Sequence, residues 1–130
     1  MGQQQLLLIA LGIIVVGIAV IVGIDQFSTS AAEANRDSIT LDLNFISSLA
    51  RAHYKKPVEI GGGGNSFANF GIPTALLETA NGTFEHTQTG HNTDHIHFTA
   101  TGKELGEDGI NPIQIEVRIT LHESKFKEKN

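Results

Sequence analysis

The sequence contains no cysteine, so neither a disulfide bridge nor a thiolate metal site is available to it. Its three prolines begin only at Pro57, which leaves no proline to interrupt a helix before that residue. No charged residue precedes Asp25. The formal net charge of −5 is opposite in sign to the basic surface of a nucleic-acid-binding protein, so we expect no nucleic-acid partner. At 130 residues the chain has room for about one domain.

The uncharged N-terminal segment contains a continuous apolar run from Leu6 to Ile24. As a helix it would be about 28 Å long, close to the ~30 Å hydrocarbon thickness of a bilayer. A domain this small cannot bury such a helix on all sides. A cleaved secretory signal is the alternative, but that needs a basic residue ahead of a shorter apolar core, and none is present. The run therefore predicts a helix that resides in a membrane.

Helical periodicity continues beyond the apolar run, and Pro57 disfavours helix in the residue before it. We predict one helix over residues 3–56, ending by Lys56, with residues 3–27 as its apolar half. Two apolar stripes are visible on it. The first contains Ile24, Phe27, Ala31, Ala34, Ile39, Leu43, Ile46 and Ala50, and the second contains Leu41, Phe45 and Leu49. One stripe can pack on a domain, and the other needs a different partner.

Residues 57–130 follow as a glycine-rich loop and a sheet. The four glycines Gly61 to Gly64 resemble a phosphate-binding loop only superficially, because neither the Lys-Ser/Thr pair nor a preceding strand is present. They indicate a wrapping loop that Phe67, Phe70 and Ile72 hold against the sheet.

The last third of the chain predicts an antiparallel meander. A turn at Asn81-Gly82 precedes the strand GTFEHTQ, the second strand is DHIHFTATG, and strict alternation from Ile113 to Leu121 marks the third. The tail KFKEKN is expected to be solvated. The fold class is therefore α+β: a long N-terminal helix with a protruding apolar half, whose C-terminal half packs on a small antiparallel sheet of about three strands.

Several polar residues are candidates for metal binding or glycosylation. His95 and His97 share a strand face and, with His122, are weak candidates for a Zn²⁺ site, the alternative being ordinary surface histidines. Glu104, Glu107 and Asp108 form either a calcium loop or, more simply, an acidic turn. Asn81 begins a sequon and is a possible glycosylation site. No nucleophile elbow or paired carboxylates are present, so we expect no enzyme activity and no cofactor.

The N-terminal stretch GQQQLLLI, a glycine and a short polar patch before the apolar run, resembles a type IV pilin or a pseudopilin relative, of a bacterial group with a glycine-rich loop between helix and sheet. The resemblance implies that prepilin peptidase cuts between Gly2 and Gln3, leaving residues 1–2 as a leader remnant, and that the new N-terminus is methylated. Family members usually carry Phe directly after the cut and Glu a few residues later, where this chain has Gln3 and Leu7.

The resemblance further implies a structural subunit of an extracellular, cell-surface filament, a helical polymer of identical chains built by the pilus assembly machinery. Before assembly the apolar helix would hold each subunit in the inner membrane. The alternatives are a single-span membrane-anchored extracytoplasmic binding domain, or a pseudopilin of a secretion system. The expected filament core consists of Leu6, Leu7, Leu8, Ile9, Ile13, Ile14, Val16, Ile18, Val20, Ile21, Ile24 and Phe27.

Overall fold

The computed structural model describes residues 2–87 and 94–129. Helix α1 (Gly2–Lys55) is followed by a short 3-10 helix (Val58–Ile60) and a single-turn helix α2 (Thr74–Leu77). The strands are β1 (Gly82–Thr87), β2 (His95–Leu105), β3 (Pro112–Thr120) and β4 (Ser124–Glu128). They form one four-stranded antiparallel sheet in the order β1-β2-β3-β4. The predicted α+β class is confirmed.

The hydrophobic core lies between the C-terminal half of α1 and one face of the sheet. The helix contributes side chains spaced three and four residues apart, which fall on one side of it. The strands contribute alternate residues. The inward positions that alternation predicts, Ile96, Phe98 and Ala100 on β2 and Ile113 to Ile119 on β3, are confirmed, whereas Leu121 lies beyond β3 and is half-buried. The buried apolar residues of helix and strands are Ile39, Leu43, Ile46, Ala50, Phe84, Ile96, Phe98, Ala100, Ile113, Ile115, Val117 and Ile119.

The glycine-rich loop closes the C-terminal end of α1. The last carbonyls of a helix have no partner within it. Here the amide of Gly63 donates to the His53 carbonyl at 2.7 Å, and that of Asn65 donates to the Tyr54 carbonyl at 2.8 Å. A side chain on Gly63 would collide with the Ser66 carbonyl, so the loop needs glycine there. Beyond it, Phe67, Phe70 and Ile72 are buried, as predicted.

A polar contact fixes the middle of α1 on the sheet. The side-chain amide of Asn35 donates to the Asn81 carbonyl at 2.8 Å, and its oxygen accepts from the amides of Lys103 and Glu104 at 3.1 and 3.3 Å. One asparagine therefore ties the turn before β1 and the end of β2 to the helix.

The sheet has one strand more than the approximate count predicted from sequence. The segment predicted as a solvated tail forms β4, in which Phe126 is the register partner of Val117 on β3. The third strand is also shorter than its alternation suggests. It ends at Thr120, where the chain reverses: the Thr120 amide donates to the Glu123 carbonyl at 2.9 Å.

The first predicted stripe on α1 does not follow a single face. The step from Ala34 to Ile39 turns the helix by about 140°, because each residue advances it by about 100°. Ile39, Leu43, Ile46 and Ala50 are buried, whereas Phe27 and Ala34 are exposed on another side. Of the second stripe, Leu41 and Phe45 are exposed, and Leu49 packs partly against the core.

Candidate membrane and assembly surface

The N-terminal half of α1 projects from the domain, and no other described part of the chain covers it. Residues 2–30 are all exposed, and the helix is not buried before Ile39. Within the described residues, α1 is the single helix that is long and apolar enough to cross a membrane. Every predicted filament-core residue lies on this bare segment, each at least 54% exposed.

The predicted processing site lies at the helix start. Gly2 and Gln3 occupy the first turn of α1 and are exposed. Along the same segment, a side chain added at Gly12, Gly17 or Gly23 would meet no atom within 4 Å. These glycines thus leave shallow places on the surface where another helix can approach closely.

An uncharged stripe extends the apolar surface past the membrane-length run. We define it as Phe27, Ala31, Ala34, Ser38, Leu41 and Phe45. At about 100° per residue, these positions fall within a sector of about 80° on α1. The only hydroxyl in the set is internally satisfied, since Ser38 Oγ donates to the Ala34 carbonyl at 2.8 Å. The stripe therefore presents no unpaired side-chain donor.

The stripe points away from the sheet. Its centre lies more than about 100° around the helix axis from the buried residues Ile39, Leu43, Ile46 and Ala50. The nearest charges on this half of α1, Asp37 and Asp42, lie at least about 60° from its centre. Leu41 is 69% exposed and Phe45 is 55% exposed. The domain thus covers one side of α1 and leaves the opposite side apolar.

The outer face of the sheet is polar and carries the histidine pair. His95 and His97 lie together, with ring centroids 5.3 Å apart, as their spacing predicts. Burial, His95 and Arg118 lower the pKa of His97, and Glu116 opposes them. A hydrogen bond from Lys129, 2.6 Å from the Glu116 carboxylate, lowers the pKa of Glu116.

The metal candidates do not assemble into a site. His122 lies beyond the end of β3, in the reversal that follows Thr120, rather than on the wet face of that strand. Within residues 2–87 and 94–129, no group of three or more His, Asp or Glu side chains is placed to hold a metal ion. His91, which falls near the pair in sequence, is outside the described residues.

The acidic segment between β2 and β3 is a turn closed by its own aspartate. The Asp108 carboxylate accepts from the amides of Ile110 and Asn111, both at 3.0 Å, and from the Asn111 side chain at 2.7 Å. These bonds lower the pKa of Asp108. Glu104 and Glu107 are exposed beside it.

The side chain of Asn81 makes a hydrogen bond that the sequon did not predict. Its side-chain nitrogen, the atom to which a glycan would be attached, donates to Asp42 at 3.1 Å. Thr79 Oγ1 donates to the same carboxylate oxygen at 3.2 Å. Asn81 therefore takes part in joining the helix to the sheet.

The chain matches no protein-family model, and no curated protein or solved structure is found to be similar to it. What it does has to follow from its exposed surfaces. Among the described residues, most of the exposed large apolar side chains lie on the bare half of α1, which the uncharged stripe continues.

Proposed function

We propose that this chain is a structural subunit of an extracellular helical filament of the type IV pilus kind. The apolar half of α1 holds it in the membrane before assembly. In the filament that half packs among the same segments of other copies, and the sheet domains lie outside.

The uncharged stripe is the observation that carries this proposal. A membrane anchor accounts for Leu6 to Ile24, which lipid covers. It gives no cover to Leu41 and Phe45, which lie on the domain-bearing half of α1 and are 69% and 55% exposed. Neighbouring helices in a bundle cover both the apolar half and the stripe. A helical filament accounts for the exposed apolar surface of α1 with one kind of contact.

The composition of the stripe suits contact with another helix. Ala31, Ala34 and Ser38 are small and lie between the large side chains of Phe27 and Phe45, so a second helix can approach closely at the centre. Complete burial of a Leu or Phe side chain contributes about 1.5–3 kcal/mol. Since the sheet occupies the other side of the helix, a neighbour can reach the stripe without displacing the domain.

Transfer of the apolar half of α1 from the membrane into the filament avoids the free-energy cost of exposing it to water. The residues from Leu6 to Ile24 leave lipid and enter a bundle of identical apolar helices, so they stay out of water in both states. The contact is heterologous, because the stripe of one copy meets a different surface of the next. Repetition of such a contact without closure produces a fibre.

Maturation is part of the same proposal. Prepilin peptidase cuts between Gly2 and Gln3, both exposed at the start of α1. Type IV pilins usually carry a glutamate at the position of Leu7, so this chain has no carboxylate there to pair with the new amine of Gln3. Glutamine side chains or water must solvate that amine.

Electron microscopy of material sheared from producing cells, with mass spectrometry of the subunit N-terminus, tests the proposal. We expect filaments whose subunits begin at Gln3. Filaments whose subunits retain Met1 would contradict the processing step but not the proposed assembly. Absence of filaments, with the intact chain in the membrane fraction, would contradict the proposal and favour a single-span anchored domain.

A further inference from the structure

The turn between β2 and β3 forms a rigid, partly apolar tip. The Gly106 amide donates to the Asn111 carbonyl at 2.8 Å, and the Gly109 amide donates to the Gly106 carbonyl at 3.0 Å. Gly109 has a φ of 66°, which favours glycine. The Asp108 carboxylate fastens the turn from inside. Ile110, at the tip, is 79% exposed, although it is a large apolar side chain.

This tip lies beside the part of α1 that leaves the apolar run. Strand β2 runs along α1 toward its N-terminal end, and near the end of the strand the amides of Lys103 and Glu104 donate to the Asn35 side chain. Beyond that point the tip and α1 flank an open cleft of about 670 Å³. On the helix side the cleft is lined by Ser28, Thr29, Ala32 and the charged Glu33 and Arg36. On the hairpin side it is lined by Leu105, Gly106, Glu107 and Gly109.

The position of the cleft fixes the height of the tip above a membrane. Ser28 is about 6 Å beyond Ile24 along the helix axis. The hydrocarbon core is about 30 Å thick and the whole bilayer about 40–45 Å, so each headgroup layer is about 5–7 Å deep. When the apolar run fills the hydrocarbon core up to Ile24, the near end of the cleft, at Ser28, lies in the outer part of the headgroup layer.

The hairpin tip exposes apolar side chains on the sheet side of α1. Ile110 is 79% exposed and Leu105 is 49% exposed. Exposed apolar side chains beside a membrane-length helix favour a second contact at the lipid interface. The acidic side chains of Glu104, Glu107 and Asp108 accompany them, which favours a zwitterionic lipid surface over an anionic one.

We propose that the β2–β3 hairpin tip, residues 105–111, is a second membrane contact that inserts Ile110 into the lipid headgroup layer. With α1 it gives the domain two points of attachment, which fix its tilt and its rotation about the helix. The tip lies on the sheet side of α1, so the uncharged stripe faces laterally, away from the tip and toward an arriving copy. This inference depends on α1 spanning a membrane and is independent of filament assembly.

A single introduced tryptophan tests the contact, because the native chain contains none. The full chain with Ile110→Trp is placed in phosphatidylcholine bilayers, with and without bromine on the acyl chains near the headgroup. Ile60→Trp is the matched control: Ile60 is also an exposed isoleucine, 62% accessible, but it lies beyond the far end of α1. The helix places that end more than about 40 Å from Ile24.

We expect the Ile110→Trp emission to shift to the blue and to be quenched by bromine at least about threefold more than that of Ile60→Trp. Both positions are exposed, so neither substitution disturbs the core. Equal quenching at the two positions would overturn the inference, and so would quenching confined to the control. Filament formation has no part in the measurement, so its outcome is separate from that of the proposed function.

Discussion

Phe27 and Phe45 lie on the same face of α1, about five helical turns apart, and both are exposed, by 78% and 55%. Phe27 lies three residues beyond the membrane-length apolar run, whereas Phe45 is on the part of the helix that carries the sheet. Between them the face holds only small or apolar residues. The apolar surface is thus continuous from the membrane segment to the domain, on the side that the sheet leaves bare.

The Asn35 contact is expected to contribute measurably to the stability of the domain. Replacement by alanine removes one donor and one doubly used acceptor. It leaves the part-buried Asn81 carbonyl without its bond, and the exposed amides of Lys103 and Glu104 lose theirs as well. We expect the free energy of unfolding of Asn35→Ala to fall by about 1–3 kcal/mol. Denaturant unfolding of the detergent-solubilised full chain measures it.

Asn44→Ala is the control for that substitution, because Asn44 is an exposed asparagine on the same helix. It should unfold like the native chain. Helix propensity cannot cause a loss in either variant, since alanine is the better helix former. Equal loss in the two variants would therefore refute the role given to the contact of Asn35 with Asn81 and the end of β2.

Gly63 and Gly71 provide a matched pair of glycine-to-alanine substitutions. Gly63→Ala puts a methyl group against the Ser66 carbonyl, in a loop that must keep its bond to His53. Gly71→Ala meets nothing within 4 Å. We expect the first to destabilise the domain by about 1–3 kcal/mol and the second to stay within about 0.5 kcal/mol of the native chain. Thermal melting of the two variants side by side checks this, and similar melting temperatures would refute the role given to Gly63.

The histidine pair predicts a dependence of stability on pH. Burial, His95 and Arg118 lower the pKa of His97 from its ordinary value of 6.5, while Glu116 acts the other way. The unfolded chain therefore takes up a proton more readily than the folded one, and stability is lost as the pH falls below about 6.5.

The melting temperature of the native chain, followed between about pH 7 and pH 5, should fall more steeply than that of His97→Gln. His122→Gln, in which the exposed histidine of the β3–β4 reversal is replaced, should keep the native slope. If His97→Gln shows the same slope as the native chain, the pH dependence has another source.

The sequence predicted the parts of the fold that depend on local pattern. The end of α1 follows from Pro57, and the inward faces of β2 and β3 follow from alternation. Strand β4 was missed because Lys125, Phe126 and Lys127 form too short a pattern, and it is the open edge of β3 that pairs with them. The contact of Asn35 with Asn81 joins residues far apart in sequence and has no local signal.

The candidate surface was predicted in part. Its membrane-length half is evident from composition, and Leu41 and Phe45 were recognised as a second stripe. Its continuity through Ala31 and Ala34 to Phe27 was not predicted, because the step of five residues from Ala34 to Ile39 moves to another face of the helix. The burial of Ile39 and the exposure of Ala34 agree with that separation.

The most direct test of the assembly proposal compares Phe45→Glu with Asn44→Glu. The two positions are adjacent and both exposed, so each variant should fold and reach the membrane at the native level. Filaments sheared from cells are counted by electron microscopy and their subunits quantified by immunoblot. We expect the yield of Phe45→Glu to fall at least about tenfold, because its unpaired carboxylate would be buried against a neighbouring helix, and that of Asn44→Glu to remain native. Native yield from Phe45→Glu would contradict the assignment of the uncharged stripe as the surface between subunits.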